Sequence, residues 1–291
     1  MATIRQWISG ARPWTLPAAL APVAAGSGAA AALHSADALR ALLALIVALA
    51  LQVGVNFAND YSDGIRGTDN ERVGPLRLTG SGLARPRAVL AAACSAFAVA
   101  GLAGILLVAL CRLWWLLPFG AACLLAAWFY TGGQRPYGYR GLGEVFVFLF
   151  FGLVAVLGTT VTQAGRISVA AVCAAIGVGA LACALLVVNN LRDIPTDELA
   201  GKRTLAVRLG DARTRAFYAG LMLVAWLSVL PILWTHPWAA ITFLALPIAF
   251  QPLRSVLAGA TGMALLPVLR STGRLEMAYG LLLGFSLFLR G

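Results

Sequence analysis

Seven of the eleven acidic residues fall in two short windows: Asp60, Asp63, Asp69 and Glu71 in one, Asp193, Asp197 and Glu198 in the other. Asn59 and Asp63 are four residues apart and share a helix face if the helix runs that far. Asp69 follows across Gly64 and Gly67, where the chain can turn. In the second window Asn189, Asp193 and Asp197 recur every four residues, again one face, although Pro195 is expected to limit the regular helix before Asp197. The windows also match each other: Asn59-Asp60-Tyr61-Ser62-Asp63 parallels Asn189-Asn190-Leu191-Arg192-Asp193, a hint of an old internal repeat. Carboxylates accompanied by amide oxygens suit a hard cation such as Mg2+, which keeps water or substrate phosphate among its ligands. Arg66, Arg72, Arg77, Arg192, Lys202 and Arg203 surround these acids. That alternation fits a diphosphate held by bridging metal ions and by direct cationic contacts. Hydrated loop acids paired with arginines are the bland alternative; two matched clusters in a charge-poor chain weigh against it.

The elements that must position these acids are apolar helices. Of 291 residues, 60% are hydrophobic and only 11% charged, with mean hydropathy +0.86 and formal net charge +11. A soluble chain carries roughly 25% charged residues. This composition excludes an ordinary cytosolic enzyme and a disordered chain, and the basic residues are too scattered for a nucleic-acid patch. What remains is an all-α polytopic membrane protein. Uncharged runs of spanning length are Pro13–Ala36, Ala41–Asn59, Ala88–Cys111, Leu113–Gln134, Val145–Gly165 and Ile167–Leu191. Ala216–Leu253 is long enough for two helices, with a turn at Thr235-His236-Pro237. Ser255–Leu269 reads as a connecting or interfacial segment. A ninth helix is expected from about Gly273 to Leu289, with Arg274 and Glu276 at its end. No cleavable signal peptide is evident.

With nine spans and the N-terminus inside, 18 of the 22 basic residues lie on the inner side and four outside: Arg40, Arg112, Arg166 and Arg290. The positive-inside rule therefore places the N-terminus and both acidic windows in the cytoplasm and the C-terminus outside. The five cysteines lie in or beside apolar runs without metal or redox spacing and read as packing residues. His34 and His236 sit in expected turns.

Beyond their chemistry, the two windows resemble the aspartate-rich motifs of the UbiA-type intramembrane prenyltransferases. The first is Asn59-Asp60-Tyr61-Ser62-Asp63-Gly64-Ile65-Arg66-Gly67-Thr68-Asp69; the second is Asn189-Asn190-Leu191-Arg192-Asp193-Ile194-Pro195-Thr196-Asp197, followed by Gly201-Lys202-Arg203-Thr204. Arg12-Pro13-Trp14-Thr15-Leu16-Pro17, Tyr130-Thr131-Gly132-Gly133 and Gly141-Leu142-Gly143-Glu144 are similar to the same family, so the resemblance spans about residues 10 to 290. Gly74-Pro75-Leu76-Arg77 and Arg135-Pro136-Tyr137-Gly138-Tyr139 resemble the subgroup that prenylates 1,4-dihydroxy-2-naphthoate in menaquinone biosynthesis. Gly67 stands where the 4-hydroxybenzoate enzymes more often have a third Asp, which points the same way and leaves Asp69 or Glu71 to complete the first cluster.

The resemblance implies one domain over residues 1–291: nine helices around a central cavity, capped by cytoplasmic loops 59–85 and 189–212. It implies a Mg2+-dependent enzyme of the cell membrane acting on polyprenyl diphosphate and the naphthoate. Asp60, Asp63 and Asp193 are the expected catalytic residues. Asn59, Asp63 and Asp69 would hold one Mg2+, and Asn189, Asp193 and Asp197 another. Arg72, Arg77 and Lys202 would contact the diphosphate. Asp60 is expected to face either the metal site or the aromatic substrate, while Arg66 and Arg192 could simply pair with neighbouring acids. Arg135, Tyr139 and Arg140 are candidates for the acceptor. Phe146, Phe150, Trp128 and Tyr130 are expected to pack or to face lipid, with shielding of the allylic cation as the alternative, and Glu144 to cap its helix, with a contact to a site Lys or Arg as the alternative. The prenyl tail belongs in an apolar groove open to lipid; its length is not legible. A transporter is the rival from another class, but transport predicts acids marching through the bilayer, and these gather at one face.

Overall fold

The computed structural model describes residues 2–67, 76–134 and 136–289. Asp69, Glu71, Arg72 and Arg135 lie outside them. The described residues contain no strand. A short helix α1 (Ile4–Gly10) and a 3-10 turn (Pro13–Thr15) lead into α2 (Pro17–Ala32), bent from them by 48°. Then come α3 (Ala38–Arg66), α4 (Pro86–Cys111), α5 (Leu116–Phe129), α6 (Gly143–Ala164), α7 (Val169–Leu199), α8 (Leu205–Leu233), α9 (Pro237–Leu257) and α10 (Leu265–Phe288). Six of these helices (α3, α4, α6, α7, α8 and α9) are long and apolar enough to cross a membrane, or seven if the bent pair ending in α2 counts as one span. The expected turn at Thr235-His236-Pro237 separates α8 from α9.

Helix α7 is the axle. Of its apolar stretch 78% is buried, against 17–33% in the other five apolar helices. Its alanines and glycines let neighbours approach closely, as small residues do between membrane helices. A Cβ on Gly179 would come within 2.9 Å of the Gly152 Cα of α6. Ser168 caps α7, accepting from the Ala171 N–H at 3.1 Å, and Asp37 caps α3 through the Arg40 N–H at 2.9 Å. Helix α3 runs through both Asn59 and Asp63 before Gly67 ends it in the left-handed conformation (φ 73°).

Several boundaries differ from the expectations: α5 covers only Leu116–Phe129 of the expected run Leu113–Gln134 and is too short to count among the spanning helices, and α8 begins at Leu205, ahead of the run expected from Ala216. Helix α7 continues through Pro195 to Leu199, so Asp197 stays on the helix. Pro195 is exposed and close to the helix end, where water can take the carbonyl bond its missing N–H gives up. The last helix begins at Leu265, not near Gly273, because Leu265, Val268, Leu269 and Thr272 are buried along one face while Arg270 and Arg274 stand exposed on another. Glu276 therefore lies inside that helix, fully buried.

Candidate active site

Helices α2 to α7 enclose a cavity of about 650 Å³ that reaches from Asp63, Asp193 and Lys202 to Ala44, Leu107 and Thr162. Its mouth is polar and the remainder mainly apolar, with Thr15, Gln52 and Asn56 part-way along the wall. Because α3 and α7 are unbroken there, Asn59 and Asp63 from one and Asn189, Asp193 and Asp197 from the other all line the same mouth.

Asp63 is the hub. It is buried, and its carboxylate accepts the Tyr139 hydroxyl hydrogen. The Arg77 guanidinium lies 3.8 Å from it and the Lys202 ammonium 3.9 Å. Lys202 also stands over the Tyr139 ring at 4.5 Å from the centroid, with Arg66 at 5.8 Å from the same centroid. Arg66 donates to the carbonyls of Thr131 and Gly133, and so pins the 131–134 turn to the end of α3. Across the mouth, Asp193 takes a two-pronged contact from Arg192, 2.7 Å to each oxygen, and Arg192 donates to the Asn189 Oδ1 at 2.9 Å. The Asn59 Oδ1 accepts from the Thr131 hydroxyl at 2.6 Å.

Asp60 is placed otherwise than expected. It does not line the cavity; its two oxygens accept the backbone N–H groups of Leu78 (2.7 Å) and Thr79 (2.8 Å). One residue around the helix from Asn59, it faces the returning chain and fixes the segment that carries Arg77. Arg140 is also off the wall: it is exposed, and its carbonyl accepts from Arg208 at 2.8 Å, which stitches the 137–140 turn to α8.

Several further residues line the cavity. Tyr130, Tyr137, Phe146 and Phe150 form an aromatic wall, with successive centroids 5.5, 4.1 and 5.9 Å apart. Tyr130, Phe146 and Phe150 had been expected to pack or to face lipid. Residues Phe148–Val154 wind wider than an α-helix, a distortion frequent at functional sites. Burial pushes the Tyr137 phenol well above its usual range, and it donates to the Ala126 carbonyl at 2.8 Å. Gln52, seven residues before Asn59, also lines the wall; its amide nitrogen donates to Thr15 at 2.9 Å while its buried Oε1 has no hydrogen-bond partner among the described residues. Glu144, expected to cap its helix or to meet a site cation, accepts from the Asn190 amide at 2.9 Å and so orients that lining residue. Heptad-like spacing on α3 (52, 56, 59, 63) was the signal available for Gln52; nothing in the sequence marked Glu144 and Asn190 as neighbours.

The mouth suits Mg2+ by chemistry. It offers carboxylate and amide oxygens and no sulfur or imidazole. No three His, Cys, Asp or Glu side chains among the described residues stand close enough to enclose an ion alone. Mg2+ is commonly held by one or two carboxylates with water and substrate phosphate completing the shell, which is what this donor set permits.

The sequence profile of the UbiA prenyltransferase family matches residues 19–286. A 1,4-dihydroxy-2-naphthoate octaprenyltransferase of Mycobacterium tuberculosis is 56% identical over 97% of this chain and 96% of its own. One from Mycobacterium leprae is 52% identical over 100% of this chain and 99% of its own. A UbiA homologue from Archaeoglobus fulgidus bound to GPP and Mg2+ superposes with a TM-score of 0.63 at 15% identity, covering 97% of this chain and 99% of that one.

Proposed function

The chain belongs to the UbiA prenyltransferase family, and from that premise we propose that it transfers a polyprenyl group from polyprenyl diphosphate to 1,4-dihydroxy-2-naphthoate. Carbon dioxide and diphosphate leave, and the product is the reduced, quinol form of demethylmenaquinone, both ring hydroxyls being retained. The observation that carries this reading is the meeting of two acid-and-amide helix faces with Arg77 and Lys202 at the mouth of an otherwise mainly apolar cavity.

The allylic C–O bond breaks with its electron pair going to the diphosphate oxygen. The ring carbon of the acceptor that bears the carboxylate forms the new C–C bond, and the carboxylate leaves as CO2, its bonding pair restoring the ring. Preorganised positive charge where the leaving group gains charge lowers the barrier. Lys202 and Arg77 supply it here, with Arg72 as a further contact. Mg2+, bound through Asn59, Asp63 and Asp69 and through Asn189, Asp193 and Asp197, would add charge stabilisation of the same kind. Asp60 acts by positioning Arg77. The aromatic wall shields the allylic cation from water and offers it π faces. The orphan Oε1 of Gln52 accepts a hydrogen bond from a hydroxyl of the naphthoate, and Tyr139 stands between acceptor and metal site.

The same reading makes the molecule a nine-span protein of the cell membrane, with its N-terminus and both capping segments, 59–85 and 189–212, in the cytoplasm. The exposed tryptophans support this. Trp114 and Trp115 precede α5, and Trp234 and Trp238 flank the α8–α9 turn, all at the ends remote from the mouth, where interfacial tryptophans belong.

The test uses purified protein with Mg2+, a long-chain prenyl diphosphate and a panel of aromatic acceptors. Release of CO2 with the naphthoate is the expected result. Prenylation of 4-hydroxybenzoate alone overturns the acceptor assignment, and solute flux into liposomes without a new covalent product overturns the enzyme.

A further inference from the structure

The cavity is deeper than the chemistry at its mouth requires. Val47, which lines it, stands sixteen residues before Asp63 on α3, about 24 Å away at 1.5 Å per residue. At that depth Gly104 of α4 lines the cavity beside Val47, and a Cβ built on it would reach ordinary contact with that side chain, 3.9 Å away. Gly158 of α6 and Gly120 of α5 line the same outer half, and a Cβ on either would meet nothing within 4 Å. At the far end Thr162 lines the cavity, and its carbonyl accepts from Arg40 at 3.2 Å. None of these glycines has a positive φ, so the backbone does not require glycine there. Glycine is also a poor helix former, and filling the positions would favour the helices. What glycine provides at 120 and 158 is empty volume along the cavity, and at 104 it keeps the wall beside Val47 thinner than any larger residue would.

We propose that Gly104, Gly120 and Gly158 set donor length, because the distal isoprene units of the prenyl tail occupy the space they leave. This rests on the prenyl-transfer reading of the mouth. An extended chain covers roughly 1.2 Å per bond, so a geranyl group spans roughly 10 Å by the same rule. It stops well short of Gly104. An octaprenyl group spans roughly 38 Å on that scale, and so it passes all three glycines. Filling them therefore penalises long donors and spares short ones.

The experiment measures kcat/KM of the full-length protein for geranyl and octaprenyl diphosphate, with the naphthoate at saturation. The variants are Gly104→Leu and Gly158→Phe, with Gly104→Ala and Gly158→Ala as a size series and Gly220→Phe on the exposed face of α8 as control. The expected result is an octaprenyl-to-geranyl ratio that falls at least tenfold in the bulky variants, less in the alanines, and not in the control. A ratio that stays constant overturns the proposal, whether because both donors lose activity together or because neither does; a bulky variant that merely misfolds falls in the first case and is exposed by its alanine counterpart. If the unaltered protein prenylates nothing with either donor, it is the underlying reading that fails.

Discussion

Asp60 offers the sharpest separation between a residue that positions and one that reacts. Its carboxylate is buried and holds two backbone N–H groups, those of Leu78 and Thr79, at 2.7 and 2.8 Å. A hydrogen bond to a charged acceptor contributes about 1.5–3 kcal/mol. Asp60→Ala therefore removes about 3–6 kcal/mol of local hold. Water entering the gap brings the loss toward the lower end, and about 3 kcal/mol is on the order of a 150-fold easier opening. Asp60→Asn keeps one acceptor oxygen and should open about tenfold more easily, for a loss near 1.5 kcal/mol. Hydrogen exchange at the Leu78 and Thr79 amides reads this directly. Arg77 precedes Leu78 and reaches Asp63 from that segment, so the KM for the prenyl diphosphate should rise in step with the exchange rate. If Asp60→Asn leaves amide protection and donor KM unchanged but lowers kcat more than 100-fold, Asp60 takes part in the chemistry and the positioning argument is wrong.

Three further outcomes follow from the same geometry. Asp63→Ala and Asp193→Ala, correctly inserted, should show almost no turnover, and near-normal activity at saturating Mg2+ would remove both from the metal site. Gln52→Leu should raise the KM for the naphthoate about tenfold through one lost hydrogen bond of about 1.4 kcal/mol while leaving donor KM alone; equal effects on both substrates would contradict acceptor binding at Gln52. Glu144→Gln retains an oxygen for the Asn190 amide and should keep most of the activity, whereas Glu144→Ala frees Asn190 and should lower kcat/KM about tenfold; matching losses in the two variants would show that the carboxylate's charge, not its hold on Asn190, matters.

How much of this was legible in the sequence depends on whether an arrangement is local. The six long apolar helices were, since an apolar run acts within a few residues of itself. The two acidic faces were legible as well, because four-residue spacing is a property of one helix. Asp60 was misplaced for an instructive reason: a helix turns about 100° per residue, so neighbours in a motif face different partners, and only the returning chain at Leu78 shows which. Phe146 and Phe150 were recognised as one face, but hydropathy does not distinguish a face turned to lipid from one turned to an internal cavity. The long reach of α10 was missed because Arg270 and Arg274 broke the apolar run; they stand outside while the buried positions continue behind them.

The distribution of buried charge explains why the mouth carries as many cations as it does. Placing Asp63 and Asp193 beneath a membrane cap is costly unless each charge is compensated on the spot. Asp193 has Arg192 at 2.7 Å, and Asp63 has Arg77 and Lys202 just under 4 Å away. The two acids are thus held differently: one in a tight bidentate pair, the other by two cations at looser range with a phenol donating to it. The looser arrangement is the one that can change partners at small cost, since little hydrogen-bond energy ties Lys202 and Arg77 to Asp63 at those distances. In the proposed reaction Lys202 and Arg77 turn to the incoming diphosphate, and Asp63, so released, would be among the residues holding Mg2+, which would supply positive charge in their place. Arg192, hydrogen-bonded to both Asp193 oxygens and to Asn189, would have to share or release those oxygens for the second helix face to hold Mg2+.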